Sequence, residues 1–240
     1  MQALLRVVYP PRCLGCDTLI SDEGMLCGPC RAATPFIGGP VCDCCGVPVL
    51  DGGAPGSGRL CCDECLDVAR PWSRGRAALV YAGQGRRLVL ALKHGDRLDI
   101  AAPAARWMVQ AARPILSPDM VIVPVPAHWI RMLQRRYNQA ALLANEMGKT
   151  AGLPVLSNGL VRWRRTRSQD GLDRSQRFEN TQAAMQVRPR YISDIKGKTV
   201  LLVDDVMTSG ATLTAASFAL LSGGASRVCI CVLARVAKAS

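Results

Sequence analysis

Two sets of residues in this chain have the types and spacing of working chemistry. The first is the stretch VLLVDDVMTSGATL at Val200–Leu213. Its apolar run, Val200-Leu201-Leu202-Val203, meets two carboxylates, Asp204 and Asp205. Small and hydroxyl residues follow at Thr208, Ser209, Gly210, Ala211 and Thr212, and then apolar residues recur at helical spacing. In an open α/β sheet, ligands bind beyond the carboxyl ends of the strands. A hydroxyl-rich turn that feeds a helix offers free N–H groups, the helix dipole and side-chain donors to a phosphate dianion. Two acids beside it suit a sugar diol, or Mg²⁺ bridged through water. The pattern describes a site for a ribose 5-phosphate. Its plain alternative is a strand–turn–helix with exposed acids.

The second set is the cysteines. The chain has 12 in 240 residues, and ten lie between Cys13 and Cys65. Cys13-Leu-Gly-Cys16 pairs naturally with Cys27-Gly-Pro-Cys30, and Cys42-Asp-Cys-Cys45 with Cys62-Asp-Glu-Cys65. A CxxC turn brings two thiolates to one ion, and two such turns close a tetrahedral zinc site. Two structural zinc ions are expected, on Cys13, Cys16, Cys27 and Cys30 and on Cys42, Cys45, Cys62 and Cys65. Gly46 favours Cys45 over the spare Cys44 as the turn residue, and Cys61 is a second spare. Interleaved pairing of the turns and disulfide or redox chemistry stay open at this point. Cys229 and Cys231 alternate with Ile230 and Val232, as small buried hydrophobes would on a strand.

These residues need elements to hold them. The first ~70 residues are cysteine-, glycine- and proline-rich with little periodicity, and too small to fold without metal. A domain boundary is expected at 70/71, within Leu66–Gly75. Beyond it, strands are predicted at Ala77–Tyr81, Met120–Val123, Thr199–Val203 and Arg227–Ala234. Helices are predicted at Gln84–Leu92, Ile100–Arg113, Gln139–Thr150 (closed by Gly152) and Thr212–Leu221. Such alternation implies an α/β fold, a parallel sheet with helices on both faces. The cysteine-rich part reads as one motif used twice.

Hydrophobic residues make up 49% of the chain, enough for a core, while aromatics make up only 5%, so Ala, Val, Leu and Ile must fill it. The net charge is +12, which suits an anionic partner such as phosphate or nucleic acid, or else a well-solvated Arg-rich surface. The start, MQALLRVVYPPRC, carries Arg6 inside its short apolar segment and does not read as a secretory signal. No stretch has the ~20 apolar residues of a membrane span. A cytoplasmic, metal-binding chain is the expectation.

The stretch at 200–213 resembles the phosphoribosyl-diphosphate (PRPP) motif of type I phosphoribosyltransferases. The double CxxC head, VPVPAHWIRMLQRRYNQA at 123–140 and the Arg-rich segment at 165–180 resemble the ComF family. That family joins a zinc-ribbon head to a phosphoribosyltransferase domain and is linked to DNA uptake. The resemblance implies that Asp204 and Asp205 are catalytic, holding the ribose hydroxyls, and that Thr208, Ser209, Gly210, Ala211 and Thr212 wrap the 5-phosphate of PRPP bound with Mg²⁺. It implies a pyrophosphate loop containing His128, Arg131, Arg135, Arg136, Asn138 and Gln139, whose cations would meet the charge growing on the leaving group. Where the family usually shows Arg-Gly-Phe-Asn-Gln, this chain has Arg135-Arg136-Tyr137-Asn138-Gln139.

It also implies a closing loop over 162–180 with Arg165, Arg167, Gln169, Arg174, Arg177 and Asn180. The bland counterpart is a solvated basic face or a nucleic-acid patch. Lys93-His94 is either a ligand contact or a surface pair. Purine phosphoribosyltransferases usually carry an aspartate where Thr208 stands, so an acceptor that needs that base is disfavoured. Two functions follow. One is an enzyme that moves ribosyl 5-phosphate from PRPP to an unidentified acceptor, acting in DNA uptake or nucleic-acid metabolism. The other is a non-catalytic PRPP-sensing module that binds single-stranded DNA or a protein of the uptake machinery. Trp129, Tyr137 and Trp163 beside arginines give the second modest support.

Overall fold

A computed structural model describes residues 10–22, 24–49, 59–94, 97–127, 137–162 and 185–237. At its centre is a four-stranded parallel sheet in the order β1-β6-β5-β2. The strands are β1 (Arg74–Val80), β2 (Val121–Pro124), β5 (Thr199–Met207) and β6 (Arg227–Arg235). A separate antiparallel pair, β3 (Leu160–Arg162) and β4 (Met185–Val187), flanks residues 163–184.

Alternation along the strands assigns the two faces. Leu201, Val203, Cys229, Cys231 and Leu233 point to one core. There they meet α3 (Gly83–His94), α4 (Ala101–Ala112) and α5 (Gln139–Ala151). Val200, Leu202, Val228, Ile230 and Val232 point to the other, under α7 (Ala211–Ser222). A short α6 (Ile192–Ile195) adds the buried Ile195 to that second core. Cys231 is fully inside, and burial pushes its thiol up to about 12, as befits a hydrophobe. Among the described residues no helix is long and apolar enough to cross a membrane.

The largest difference from the expected elements is at β5. Its apolar run was expected to end the strand at Val203, yet the strand continues through both acids to Met207. The cause is β6, which is long enough to pair Asp204 with Val232, Val206 with Ala234 and Met207 with Arg235. On the other side β2 stops earlier, with Pro124 opposite Val203. The acids therefore sit in a strand paired on one edge and open on the other.

The cysteine-rich segment is one motif used twice, down to its hydrogen bonds. Cys13 N–H donates to Thr18 O and Asp17 N–H to Cys13 O; Cys42 N–H donates to Val47 O and Gly46 N–H to Cys42 O. The residue after each second cysteine is left-handed, Asp17 at φ 58° and Gly46 at φ 75°. Each copy adds a short helix, α1 (Gly28–Ala33) and α2 (Asp63–Asp67).

This head covers the open edge of β1. Ile37 N–H donates to Ala78 O, Val80 N–H to Pro35 O and Gly75 N–H to Asp43 O, so strand groups that would face solvent are paired. Phe36 stacks edge-on against Trp107 of α4, ring centroids 5.2 Å apart. Leu14 enters one core, while Cys42, Cys45, Cys65 and Trp72 enter the other. Asp43 bonds both Arg74 (3.0 Å) and Arg76 (2.8 Å). Burial works to raise its pKa, but Arg76 and Arg74 outweigh it and hold the carboxyl below the ordinary range.

Gly46 shows how tight this joint is. A Cβ there would lie 2.6 Å from Ala77 N and 2.7 Å from Arg76 C, both backbone atoms of β1. The Gly46→Ala variant is expected to lose stability by at least the ~1–3 kcal/mol of a left-handed non-glycine residue. Chemical denaturation measures this, with Gly28→Ala as the control, since nothing lies within 4 Å of a Cβ at Gly28.

Candidate functional site

The eight CxxC cysteines form two clusters, Cys13, Cys16, Cys27 and Cys30, and Cys42, Cys45, Cys62 and Cys65, each with its sulfurs within 4.8 Å of one another. Pairing is sequential, not interleaved. Cys16 and Cys27 sulfurs stand 3.6 Å apart, Cys45 and Cys62 sulfurs 3.7 Å apart. A tetrahedron with Zn–S near ~2.3 Å has S···S edges of ~3.8 Å, so both clusters fit zinc. Burial raises the Cys13 thiol, yet the N–H groups of Cys27, Gly15 and Cys16 overcome it and bring it down to about 6. Such donors favour the thiolate a metal needs. With four thiolates each, both sites are closed, which fits structure and not catalysis. Cys44 and Cys61 stand outside the clusters with their sulfurs 3.6 Å apart, and burial pushes Cys44 up to about 12.

The acid pair lies in a cavity of about 370 Å³ at the carboxyl ends of β5 and β2. Its walls include Tyr81, Lys93, Pro126, Tyr137, Asn138, Gln139, Arg162, Asp204, Asp205, Thr208 and Thr212. Asp204 Oδ1 accepts the N–H of Asp205 at 2.8 Å. Asp205 Oδ2 accepts from Lys93 Nζ at 3.1 Å. Lys93 thus belongs to the site, while His94 is exposed. The ammonium offsets the charge of one of the two adjacent carboxylates.

Next to the acids, Gly210 adopts φ 82° and starts α7 at Ala211. Thr208, Ser209, Ala211 and Thr212 are exposed while Gly210 is buried. A helix start leaves its first N–H groups without partners inside the helix and carries a partial positive charge. The first turn of α7 contains no acidic residue to compete with an anion.

Asn138 and Gln139 line the same cavity, and their amides also bond the scaffold. Asn138 caps α5, its Oδ1 accepting Ala140 N–H at 3.1 Å and its Nδ2 donating to Val125 O at 3.0 Å. Gln139 Nε2 donates to Lys93 O at 3.4 Å, which ties α5 to the end of α3. The other expected loop residues, His128, Arg131, Arg135, Arg136, Arg165, Arg167, Gln169, Arg174, Arg177 and Asn180, lie outside the described residues, as do Trp129 and Trp163. Arg162, at the end of β3, faces the cavity.

A larger cleft, about 820 Å³, lies between the first ribbon and the start of α4. Its two aspartates are both held by Arg97, Asp17 at 3.2 Å and Asp99 at 2.8 Å, and Arg12 donates to Asp17 O at 3.0 Å. Neither an acid pair nor a phosphate-type turn lines it, so the smaller cavity is the better candidate.

Sequence reasoning passed over three residues beside this site. Arg70, Arg235 and Glu64 connect the second cysteine cluster to the Thr208–Gly210 turn, with Arg70 donating to Ser209 O and Arg235 to Thr208 O. Glu64 was visible only as a spacer inside Cys62-Asp-Glu-Cys65.

Comparison with known proteins adds three findings. Residues 4–72 match the model of the double zinc ribbon domain, and residues 140–240 that of the phosphoribosyl transferase domain. The chain is 30% identical over 200 residues to the DNA utilization protein YhgH of Salmonella typhimurium, covering 80% of this chain and 83% of the relative. It is 29% identical over 179 residues to competence protein F of Haemophilus influenzae (72% and 78% covered) and 24% identical over 232 residues to competence protein ComFC of Bacillus subtilis (88% and 89%).

Metal analysis checks the clusters. The protein is expected to carry two zinc ions, Cys13→Ser and Cys42→Ser to lose one each, and Cys44→Ser to keep both. Loss of a zinc ion in Cys44→Ser would move the second site onto the spare thiols.

Proposed function

This chain belongs to the ComF family, in which a double zinc ribbon precedes a phosphoribosyltransferase domain, and we propose that it binds PRPP with Mg²⁺ at Asp204–Thr212 and transfers the ribosyl 5-phosphate to an acceptor, releasing pyrophosphate. One observation carries this reading: the acid pair and the start of α7 open into the same cavity. A division into a ribbon head over 1–70 and a transferase-like domain over 71–240 is part of the proposal, and the extents of the two family models support it.

In this reading Asp204 and Asp205 hold the ribose 2′- and 3′-hydroxyls, and Thr208–Thr212 hold the 5-phosphate. Mg²⁺, when bound, would offset charge on the pyrophosphate. Lys93 occupies Asp205 while the site waits and gives it up to the sugar diol. Arg131, Arg135 and Arg136, with Arg165, Arg167, Arg174 and Arg177, would stabilise the departing pyrophosphate. Orientation and fixed charge then supply most of the rate, with no carboxylate base at Thr208.

The relatives' names concern DNA use and competence, and the chain's charge of +12 suits a nucleic-acid strand. We therefore place the protein in DNA uptake or a related use of DNA, with single-stranded DNA or an uptake protein as partner. Oligonucleotide affinity is expected to fall at least ~10-fold as salt rises from about 50 to about 200 mM. A salt-independent affinity would contradict binding through phosphates.

Calorimetric titration with Mg–PRPP tests the site. Asp204→Asn with Asp205→Asn is expected to weaken binding at least ~10-fold, about 1.4 kcal/mol. Unchanged affinity would remove the diol-binding role. Pyrophosphate release in the presence of bases, nucleosides or oligonucleotides supports the enzyme, whereas tight PRPP binding with no release from any of them supports a PRPP-sensing module.

A further inference from the structure

Glu64 stands between two zinc-type ligands, Cys62 and Cys65, in the second ribbon. Both its oxygens are used. Oε1 accepts from Arg70 at 2.8 Å, and Oε2 accepts from Arg235 at 2.9 Å. Both guanidiniums are buried, with 5% and 3% of their side chains exposed. Each reaches onward with its other terminal nitrogen. Arg70 donates to Ser209 O at 2.8 Å. Arg235 donates to Thr208 O at 2.6 Å, Met207 O at 3.3 Å and Val236 O at 2.6 Å. Arg70 also lies over the ring of Trp72, 5.5 Å from its centroid, and Trp72 Nε1 donates to Cys44 O at 2.6 Å. A Cβ at Gly210 would lie 3.0 Å from Arg70 and 3.3 Å from Trp72, so the turn rests directly on these side chains.

The peptide plane gives this contact a consequence. In a trans peptide the carbonyl of one residue and the N–H of the next point in opposite directions. The carbonyls of Met207, Thr208 and Ser209 are drawn inward by the two guanidiniums. The N–H groups of Thr208, Ser209 and Gly210 are therefore turned the other way, outward from the head. Three successive outward N–H groups ahead of a helix start make an anion-binding concavity.

We infer that Glu64, Arg70 and Arg235 are positioning residues, through which the second ribbon sets the phosphate-binding conformation of the Thr208–Gly210 turn. The inference rests on the reading of residues 208–212 as the 5-phosphate site. The ribbon thereby takes a part in ligand binding although, among the described residues, no cysteine lines the cavity. Zinc on Cys62 and Cys65 would fix the turn that carries Glu64, and Glu64 would fix both arginines.

The test uses the full chain with two readouts. Amide exchange without ligand follows Thr214 and Val236, whose N–H groups donate to Gly210 O (2.8 Å) and Met207 O (3.0 Å). Leu142, bonded to Asn138 O in α5, is the internal control. Glu64→Gln is expected to keep two zinc ions, to speed exchange at Thr214 and Val236 about 10-fold or more with Leu142 unchanged, and to weaken ribose 5-phosphate binding by a similar factor. Unchanged exchange at both amides overturns the inference. If Glu64→Gln loses zinc, Arg70→Met decides by the same amides, because it removes the bonds to both Glu64 and Ser209 O while the Glu64–Arg235 pair is kept. Faster exchange in a protein whose wild type binds no PRPP would uphold the positioning role and remove the proposed ligand. Unchanged exchange in a protein that binds PRPP would do the reverse.

Discussion

A guanidinium taken out of water costs several kcal/mol unless its charge and its N–H groups are matched. Arg235 is almost completely enclosed at the end of β6. Burial works against its charge, but Cys45 and Glu64 more than compensate and raise its pKa. Main-chain carbonyls of β5 and of the following turn accept from its Nη1, while its Nε is buried without a hydrogen-bond partner among the described residues. Arg70 repeats the arrangement from the other side of the same carboxylate. Glu64 is the carboxylate that both buried cations share, so removing it takes a charged partner from each. The seam between ribbon and sheet therefore has little freedom to slide, and the turn at 208–210 inherits that fixity.

Each half supplies what the other lacks. The ribbon has too little apolar area for a core of its own, so its metal sites and its docking face must do that work. The sheet has an open edge at β1, and the ribbon's backbone closes it through Pro35–Ile37 and Asp43. Glycine makes the approach close enough at two points. Gly46 lies on the backbone of Arg76 and Ala77, and Gly75 lies under the carbonyl of Cys44, where a Cβ would stand 2.3 Å away.

Much of this was legible in the sequence because it is local. Two thiolates in a CxxC turn are neighbours by chain geometry, so both cysteine clusters could be read off the spacing. Strand and helix periodicity placed all four strands of the sheet and four of its helices within a few residues. The pairing of the knuckles followed once backbone geometry was known. What escaped was set by distant partners. A run of hydrophobic residues ending at Asp204 looks like a strand end, because nothing local shows that β6 extends to Arg235. Glu64 and Arg235 are separated by 171 positions, and no pattern near either announces the other. Lys93 was noticed as a possible ligand contact, but its partner Asp205 was not. Asn138 and Gln139 were read for the ligand, and the structure gives both a structural bond as well.

In the proposed function the cavity at Asp204–Thr212 would take a pentose phosphate by its hydroxyls and its 5′ end. A crystal structure with Mg–PRPP is the most direct measurement. The expected result is density for the ribose diol on Asp204 and Asp205, with Lys93 displaced from Asp205 and the 5-phosphate on the N–H groups of 208–212. A phosphosugar bound elsewhere, for example in the cleft beside Arg97, with this turn empty, would contradict it.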